Sequence, residues 1–186
     1  MELEDPYSYR ERFTMPKYIV NGSGDQFFTP DSSRFYFDDL PDEKYLRYLP
    51  NADHSVALDS GQTLIGFYDA LLHNRPRPRF SWTFEKNGDI RVKCIDKPAE
   101  VMLWQATNPE KRDFRMMTIG KPYKSSDLTD QGGGVYVAKI AEPAKGWTAS
   151  FVELTFPSGG KYPFKFTTAV RITPDTLPYA LPKRIP

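Results

Sequence analysis

The sequence predicts two structural units of different class, an α/β unit over residues 1–75 and an all-β unit over residues 80–173. Three observations support this division. Residues 1–75 alternate between strand-like and helix-like segments, residues 73–80 (HNRPRPRF) alternate proline and arginine, and the following segments alternate apolar and polar side chains. Because the Pro/Arg segment excludes a helix and favours a stiff, extended chain, we place a linker at residues 76–79.

The first unit contains two predicted strands and two predicted helices in alternation. In chain order they are a strand at Pro16–Val20, a helix that begins near Pro30–Ser33, a strand at Lys44–Leu49 and a helix at Val56–Leu72. Apolar residues recur at near-helical spacing in the last segment, although Gly61 and Gly66 lower its helix propensity. Strand, helix, strand and helix joined by short loops are typical of a parallel α/β unit.

The second unit begins with a predicted hairpin, whose strands Phe80–Phe84 and Ile90–Ile95 flank an Asn87-Gly88 turn. About four more strands are predicted in the segments AEVMLWQAT, GVYVAKI, WTASFVELTF and YPFKFTTAVRI. Six or more short strands separated by turn residues predict a small antiparallel β-sandwich of immunoglobulin-like or fibronectin-like type. Residues 174–186 contain four prolines and are predicted to form an extended tail.

The composition is typical of a folded protein and argues against several classes of partner. Lys and Arg number 25 against 24 Asp and Glu, so the formal charge of +1 predicts no nucleic-acid partner and no anionic membrane surface. No apolar stretch approaches the roughly 20 residues that a membrane-spanning helix needs. The single cysteine, Cys94, lies in an alternating strand segment and is predicted to be a buried strand residue rather than a nucleophile.

Two residues with catalytic chemistry follow the two predicted strands of the first unit. Asp25 comes after the strand in KYIVNGSG, and His54 comes after the strand in KYLRYLPNAD. Functional residues of parallel sheets collect beyond the carboxyl ends of the strands, so Asp25 and His54 are predicted to lie side by side. A carboxylate there accepts the Nδ1 proton of the imidazole and stabilises the imidazolium that forms when Nε2 takes a proton from a nucleophile.

Two other interpretations of these residues stay open. In the first, GSGD is a turn, Asp25 caps a helix and His54 is a surface histidine. In the second, Asp25, Asp31 and His54 bind a metal, although no His-rich or Cys-rich spacing supports a metal site. No cofactor is expected.

The motifs around Asp25 and His54 closely resemble those of the PhoPQ-activated pathogenicity-related protein family, which is similar to the α/β-hydrolases. The approach MPK, the acid loop GDQFF, the helix start PDSSRFY and the histidine loop PNADH occur in that order between about Asp5 and His54. The resemblance implies that Asp25 is the acid and His54 the base of a catalytic triad. It also implies that residues 1–75 are the C-terminal part of an α/β-hydrolase-like sheet, followed by a C-terminal extension.

The nucleophile that such a triad needs is missing from the sequence. No serine has glycines at both two-residue offsets, as the G-x-S-x-G elbow of α/β-hydrolases requires, and Ser23 lies within the acid loop itself. We therefore expect the chain to be a C-terminal fragment whose nucleophile lies upstream, and to lack serine-type catalysis by itself. The parent is expected to be a serine hydrolase acting on an ester or amide. The alternative is an exported, virulence-related binding module that keeps the scaffold without turnover.

Partners are predicted at three places. Two parallel strands leave an open sheet edge, which is expected to pair with the missing N-terminal portion or with another chain. The second is an exposed aromatic platform on which sugar rings could stack. Its candidate residues are Trp82, Trp104, Trp147, Tyr123, Tyr136 and Tyr162. For Trp82 and Trp104, packing in the core is the favoured alternative. The third is the loop at residues 120–134, which is interpreted either as a mobile connector or as a contact for a ligand or protein. No signal sequence is recognised, and export is suspected only from the resemblance.

Overall fold

The computed structural model describes residues 4–177, except for the side chains of residues 57–59. The predicted strands of the first unit are confirmed as β1 (Lys17–Gly22) and β2 (Lys44–Leu49). They pair in parallel, from Lys17 opposite Lys44 to Gly22 opposite Leu49, so both strands end at the same edge. The predicted long helix is α1 (Ala57–Leu72). The helix predicted near Pro30–Ser33 is a single 3-10 turn at Ser32–Phe35, and another 3-10 helix spans Pro6–Arg12.

The predicted hairpin is confirmed as β3 (Phe80–Phe84) and β4 (Ile90–Cys94), with Gly88 in its turn at a φ of +96°. The remaining elements are β5 (Glu100–Asn108), α2 (Met116–Ile119), β6 (Lys124–Asp127), β7 (Val135–Ala138), β8 (Trp147–Phe156), β9 (Phe164–Thr167) and β10 (Arg171–Thr173). The last predicted segment therefore forms two strands rather than one. β6 lies in the predicted loop 120–134, where four exposed residues carried no strand pattern. Residues 178–186 of the predicted tail lie outside the described residues.

The strands form two sheets, and the described part of the chain is mostly β. Strands β3, β4 and β7 form a three-stranded sheet, and the larger sheet has the order β1-β2-β9-β8-β5-β6, with β10 also paired to β8. The contact between β2 and β9 is antiparallel, with Leu46 opposite Thr167. Because this sheet contains strands from both sides of residues 76–79, the parallel pair is built onto the strands of the second unit.

Two hydrophobic clusters hold these layers together. The first lies between the sheets and joins Ile90 and Val92 of β4 to Val152 and Leu154 of β8, and it also includes Phe67 of α1. The second lies under the carboxyl ends of β1 and β2; its fully buried members include Tyr48 and Phe151. In the first cluster Cys94 is buried, as predicted, and burial raises the pKa of its thiol to about 11.

Within residues 4–177 we find no helix that is long and apolar enough to span a membrane.

Candidate acid and base site

The candidate site begins where β1 leaves the sheet. Asp25 is only 7% exposed, and its Oδ1 accepts hydrogen bonds from the backbone N–H groups of Phe27 (2.7 Å) and Phe28 (3.2 Å). These two bonds tighten the acid loop around the carboxylate. They leave Oδ2 for a different partner.

That partner is His54, which follows β2. Its Nδ1 lies 2.8 Å from Asp25 Oδ2, and its backbone N–H donates to Gln26 Oε1 at 3.3 Å. Since the ionised carboxylate can only accept, Nδ1 carries the proton and Nε2 is the basic nitrogen. The imidazole is 51% exposed, and Nε2 makes no hydrogen bond within residues 4–177. The predicted juxtaposition of Asp25 and His54 is therefore present, with the basic nitrogen directed away from its acid.

The environment of Asp25 favours the ionised form. Burial raises the pKa of the carboxyl group, but the hydrogen bond from His54 and the two from the backbone of Phe27 and Phe28 lower it by more. The net pKa lies below the usual range of an aspartate. Asp25 is thus an anion at neutral pH and accepts the hydrogen bond from His54 Nδ1 as a carboxylate.

Glycine is required at the point where β1 turns into the acid loop. A Cβ at Gly22 would press into the carbonyl oxygen of Asp53 and lie 2.7 Å from that of Ala52. The backbone of the histidine loop therefore crosses directly over residue 22. This close approach brings His54 within reach of Asp25.

Two comparisons with known proteins found matches to this chain. The sequence profile of the PhoPQ-activated pathogenicity-related proteins matches residues 1–115, which include both Asp25 and His54. The chain belongs to this family. It is also 35% identical, over 205 aligned positions, to the autocrine proliferation repressor protein A of Dictyostelium discoideum, covering 95% of this chain. The chain spans 42% of the length of that relative. No solved structure was found to match the chain.

Other residues predicted near the site have different roles in this family member. The carboxylate of Asp31 binds Arg112 at 2.5 Å and Arg34 at 3.5 Å, so it belongs to an ion-pair network rather than to the pair of Asp25 and His54. Among the described residues, no three potential metal ligands come together. Ser23 is fully buried, and its Oγ accepts the backbone N–H of Asn51, so it is not presented to a substrate.

Sequence reasoning missed the residues that hold the two loops together. Asn51 has a φ of +57°, and its side-chain amide makes two hydrogen bonds with the backbone of Tyr123. Met116 donates its backbone N–H to Gly24 at 2.8 Å. Both partners come from the connection between β5 and β6, and no local motif in the sequence links that segment to the acid and base loops.

The prediction of an exposed aromatic platform is wrong for two of its six residues. Tyr123 and Tyr136 are buried in the two hydrophobic clusters. Trp82, Trp104 and Trp147 are half-buried against these clusters. The predicted core packing of Trp82 and Trp104 is consistent with these contacts.

A cavity of about 420 Å³ lies beside the acid loop. It is bounded on one side by residues 25–30 and on the other by residues 110–115, with Trp147 also in its wall. Phe27 and Phe28 belong to this lining and also pack against the imidazole of His54, at ring-centroid distances of 5.0 and 6.0 Å. Both phenylalanines are exposed, so an apolar surface borders the imidazole of His54.

Proposed function

We propose that this chain supplies the acid and the base of a serine-hydrolase site of the α/β-hydrolase type. One observation carries the proposal: Asp25 Oδ2 lies 2.8 Å from His54 Nδ1 at the carboxyl edge of a parallel strand pair, and Nε2 is left free. A buried carboxylate, an oriented imidazole and an unoccupied basic nitrogen are the parts that a hydroxyl nucleophile needs beside it.

The reaction in this proposal is acyl transfer from an ester or amide. The hydroxyl oxygen of the nucleophile attacks the carbonyl carbon while its proton moves to His54 Nε2. Asp25 stabilises the imidazolium through Nδ1. When the tetrahedral intermediate collapses, Nε2 gives the proton to the departing alcohol or amine, and water then releases the acyl group by the same steps in reverse order.

The nucleophile in this proposal comes from a part of the protein outside these 186 residues, or from another chain. Two features support such a contact. β1 pairs only with β2 among the described strands, which leaves its other edge open. The helix α1 exposes the apolar side chains of Ile65, Tyr68 and Leu72, at spacings that put them on one face. The relative in Dictyostelium is more than twice as long as the matched region, so related proteins contain enough chain to cover these surfaces.

The two histidines of the chain provide a matched test of the proposal. His73 is the only other histidine; like His54 it is exposed and paired to an aspartate, with Nδ1 3.0 Å from Asp69 Oδ1. In the longest natural protein that contains this chain, His54→Gln and Asp25→Asn should lower kcat for p-nitrophenyl acetate by about 100-fold or more. His73→Gln and Asp69→Asn should leave kcat within about twofold, since they touch no part of the proposed site.

The same assay on the 186-residue chain measures whether the nucleophile is missing. The purified chain should hydrolyse the ester no faster than its own His54→Gln variant. Turnover by the isolated chain that depends on His54 would show that a nucleophile is already present. Equal activity of the long protein and its His54→Gln variant would contradict the hydrolase proposal itself.

A second candidate function is recognition without turnover. The observation that favours it is the name of the Dictyostelium relative, an autocrine repressor of proliferation, which describes a signal rather than a reaction. In this version the immunoglobulin-like or fibronectin-like strands of residues 80–173 bind a protein or glycan, and Asp25 and His54 serve only to hold their loops. Full biological activity of the His54→Gln variant in a proliferation assay would favour this function over catalysis.

A further inference from the structure

The side chain of Asn51 joins the loop of the base to the second half of the chain. Its Nδ2 donates to the backbone carbonyl of Tyr123 at 3.0 Å, and its Oδ1 accepts the backbone N–H of Tyr123 at 2.9 Å. We call these two bonds the Asn51–Tyr123 clamp. A paired donor and acceptor fix both the distance and the orientation of the two backbones.

The same residue also joins the base loop to the acid loop. The backbone N–H of Asn51 donates to Ser23 Oγ at 3.0 Å, and Gly24 donates to the carbonyl of Ala52 at 2.9 Å. Ser23 lies two residues before Asp25, and Asn51 lies three residues before His54. Any displacement of residue 51 is therefore transmitted to both ends of the Asp25–His54 hydrogen bond.

Tyr123 is buried and packed against the larger sheet, which makes it the fixed point of the clamp. Its side chain is 4% exposed and packs on Phe151 of β8, with ring centroids 5.7 Å apart. Its hydroxyl donates to the carbonyl of Ser23 at 3.4 Å, and the nearby Met116 donates to Gly24. The segment 116–123 is thus anchored in the hydrophobic cluster around Phe151 and contacts both the acid loop and the base loop.

We propose that Asn51 is a positioning residue, and that the Asn51–Tyr123 clamp makes the β5–β6 connection set the geometry of Asp25 and His54. Asn51 does not touch the reacting atoms. It holds the turn between β2 and His54 so that the imidazole meets both the carboxylate and the ring of Phe27. Tyr123, the partner of Asn51 in the clamp, lies beyond the residues 1–115 that match the family profile. The second half of the chain therefore belongs to the site, although Asp25 and His54 both lie in the first half.

The chain offers a matched pair of variants. Asn51→Gly removes both side-chain bonds of the clamp and keeps the left-handed backbone accessible. Asn74→Gly is the control, because Asn74 also has a positive φ of +50° but lies at the end of α1, away from the site. Any general effect of replacing a left-handed asparagine by glycine is common to both variants.

The readout is the nuclear Overhauser effect between the ring protons of His54 and Phe27 in the 186-residue chain. The two rings are 5.0 Å apart, and with only two histidines the imidazole signals are easily assigned. The effect should be lost in Asn51→Gly and kept in Asn74→Gly, while the signals of His73 stay unchanged in both. A folded Asn51→Gly chain that keeps the effect at full strength would overturn the positioning role.

A second variant keeps the test decisive if Asn51→Gly does not fold. Asn51→Asp retains an acceptor for the N–H of Tyr123 and loses the donor to its carbonyl, so it breaks half of the clamp. We expect a weakened effect between His54 and Phe27. An unchanged effect in this variant would refute the clamp as the positioning element.

A kinetic test of the same variant is also possible, and it rests on the proposed function. In the longer protein, Asn51→Gly should lower kcat about 10- to 100-fold and leave KM unchanged, because a displaced base slows the chemical step without removing a substrate contact. If the unmodified protein has no esterase activity, the proposed function fails while the magnetic resonance result still decides the role of Asn51. If it is active and Asn51→Gly retains full kcat, the positioning role fails and the hydrolase proposal stands.

Discussion

At the scale of single residues, the site depends on where the backbone comes close to itself. Gly22 and Gly24 lie where the chain leaves β1, and both lie against other backbone segments. The histidine loop passes over Gly22, and the segment that begins at Met116 passes over Gly24, where a Cβ would lie 3.0 Å from the Cβ of Met116. The glycines leave room for two separate parts of the chain to contact the acid loop.

Replacement of Gly22 by alanine should therefore displace His54. The added methyl group would collide with backbone atoms of Ala52 and Asp53, which cannot move aside by a side-chain rotation. We expect a loss of about 3 kcal/mol in the free energy of unfolding, at the upper end of the cost of overpacking. Chemical denaturation of the purified chain measures this loss.

Gly61→Ala is the control for this variant. No atom lies within 4 Å of a Cβ built at Gly61 in α1, and alanine is the better helix former. Stability should rise by about 0.5–1 kcal/mol. If Gly22→Ala were as stable as the Gly61→Ala variant, the close crossing of the histidine loop over residue 22 would be refuted.

At the scale of strands, a buried ion pair joins the parallel pair to the rest of the larger sheet. Arg47 of β2 donates to Glu153 Oε2 of β8, and Lys165 of β9 donates to Oε1 of the same carboxylate at 2.9 Å. Arg47 and Glu153 are both buried. Their charges connect the three adjacent strands β2, β9 and β8 across the β2–β9 pairing, which among the described strands is the only strand pairing between the two units.

Arg47→Met should be strongly destabilising, because it leaves Glu153 buried without its main partner. We expect a loss of about 3–5 kcal/mol in the free energy of unfolding. The double variant Arg47→Met/Glu153→Leu should recover most of it, since two apolar side chains replace two buried charges. The exposed pair of Arg91 and Glu85 is the control, where Arg91→Met should cost less than about 1 kcal/mol. Equal effects of Arg47→Met and Arg91→Met would contradict the buried role of Glu153.

The same ion pair gives a pH dependence with a defined sign. Burial raises the pKa of the Glu153 carboxyl, but the charges of Arg47 and Lys165 lower it by more, so the folded-state pKa lies below that of the unfolded chain. Its contribution to stability is therefore present above the unfolded pKa of about 4.3 and is lost as the pH falls through the folded value. The double variant should lose less stability over this acid range than the unmodified chain.

At the scale of the whole molecule, the first unit depends on the second. β2 pairs with β9, α1 packs against β9, and the ring of Tyr45 stacks on Phe166 with centroids 4.2 Å apart. The second unit in turn supplies Tyr123 and Met116 to the site. The two units predicted from the sequence are thus in contact through a sheet, a core and the loops of the site.

A chain of residues 1–75 should accordingly fail to fold by itself. It would keep two strands and α1 but expose the faces that β9 and Phe166 cover, which leaves too little buried apolar surface. We expect no cooperative thermal transition by circular dichroism, whereas the 186-residue chain should unfold cooperatively. A cooperative transition in the shorter chain would show that residues 1–75 are an independent domain.

The sequence by itself determined the local elements and the contact between Asp25 and His54. Period-two patterns located strands such as β3, β4 and β8, and the positions of Asp25 and His54 after consecutive strands predicted their contact, because parallel strands end at one edge. Local sequence patterns are sufficient for these predictions, because each pattern lies within a few residues of the strand or side chain that it places.

Only the tertiary structure decided which distant segments support the site. The Asn51–Tyr123 clamp, the Arg47–Glu153 pair and the exposed strand β6 each depend on residues that are 19 or more positions apart and carry no shared pattern. Hydrogen bonds and ion pairs of this kind are specified by the packing of whole sheets, in which a polar group must find a partner wherever the fold brings one. The supporting half of the site therefore becomes visible only when both units are placed together.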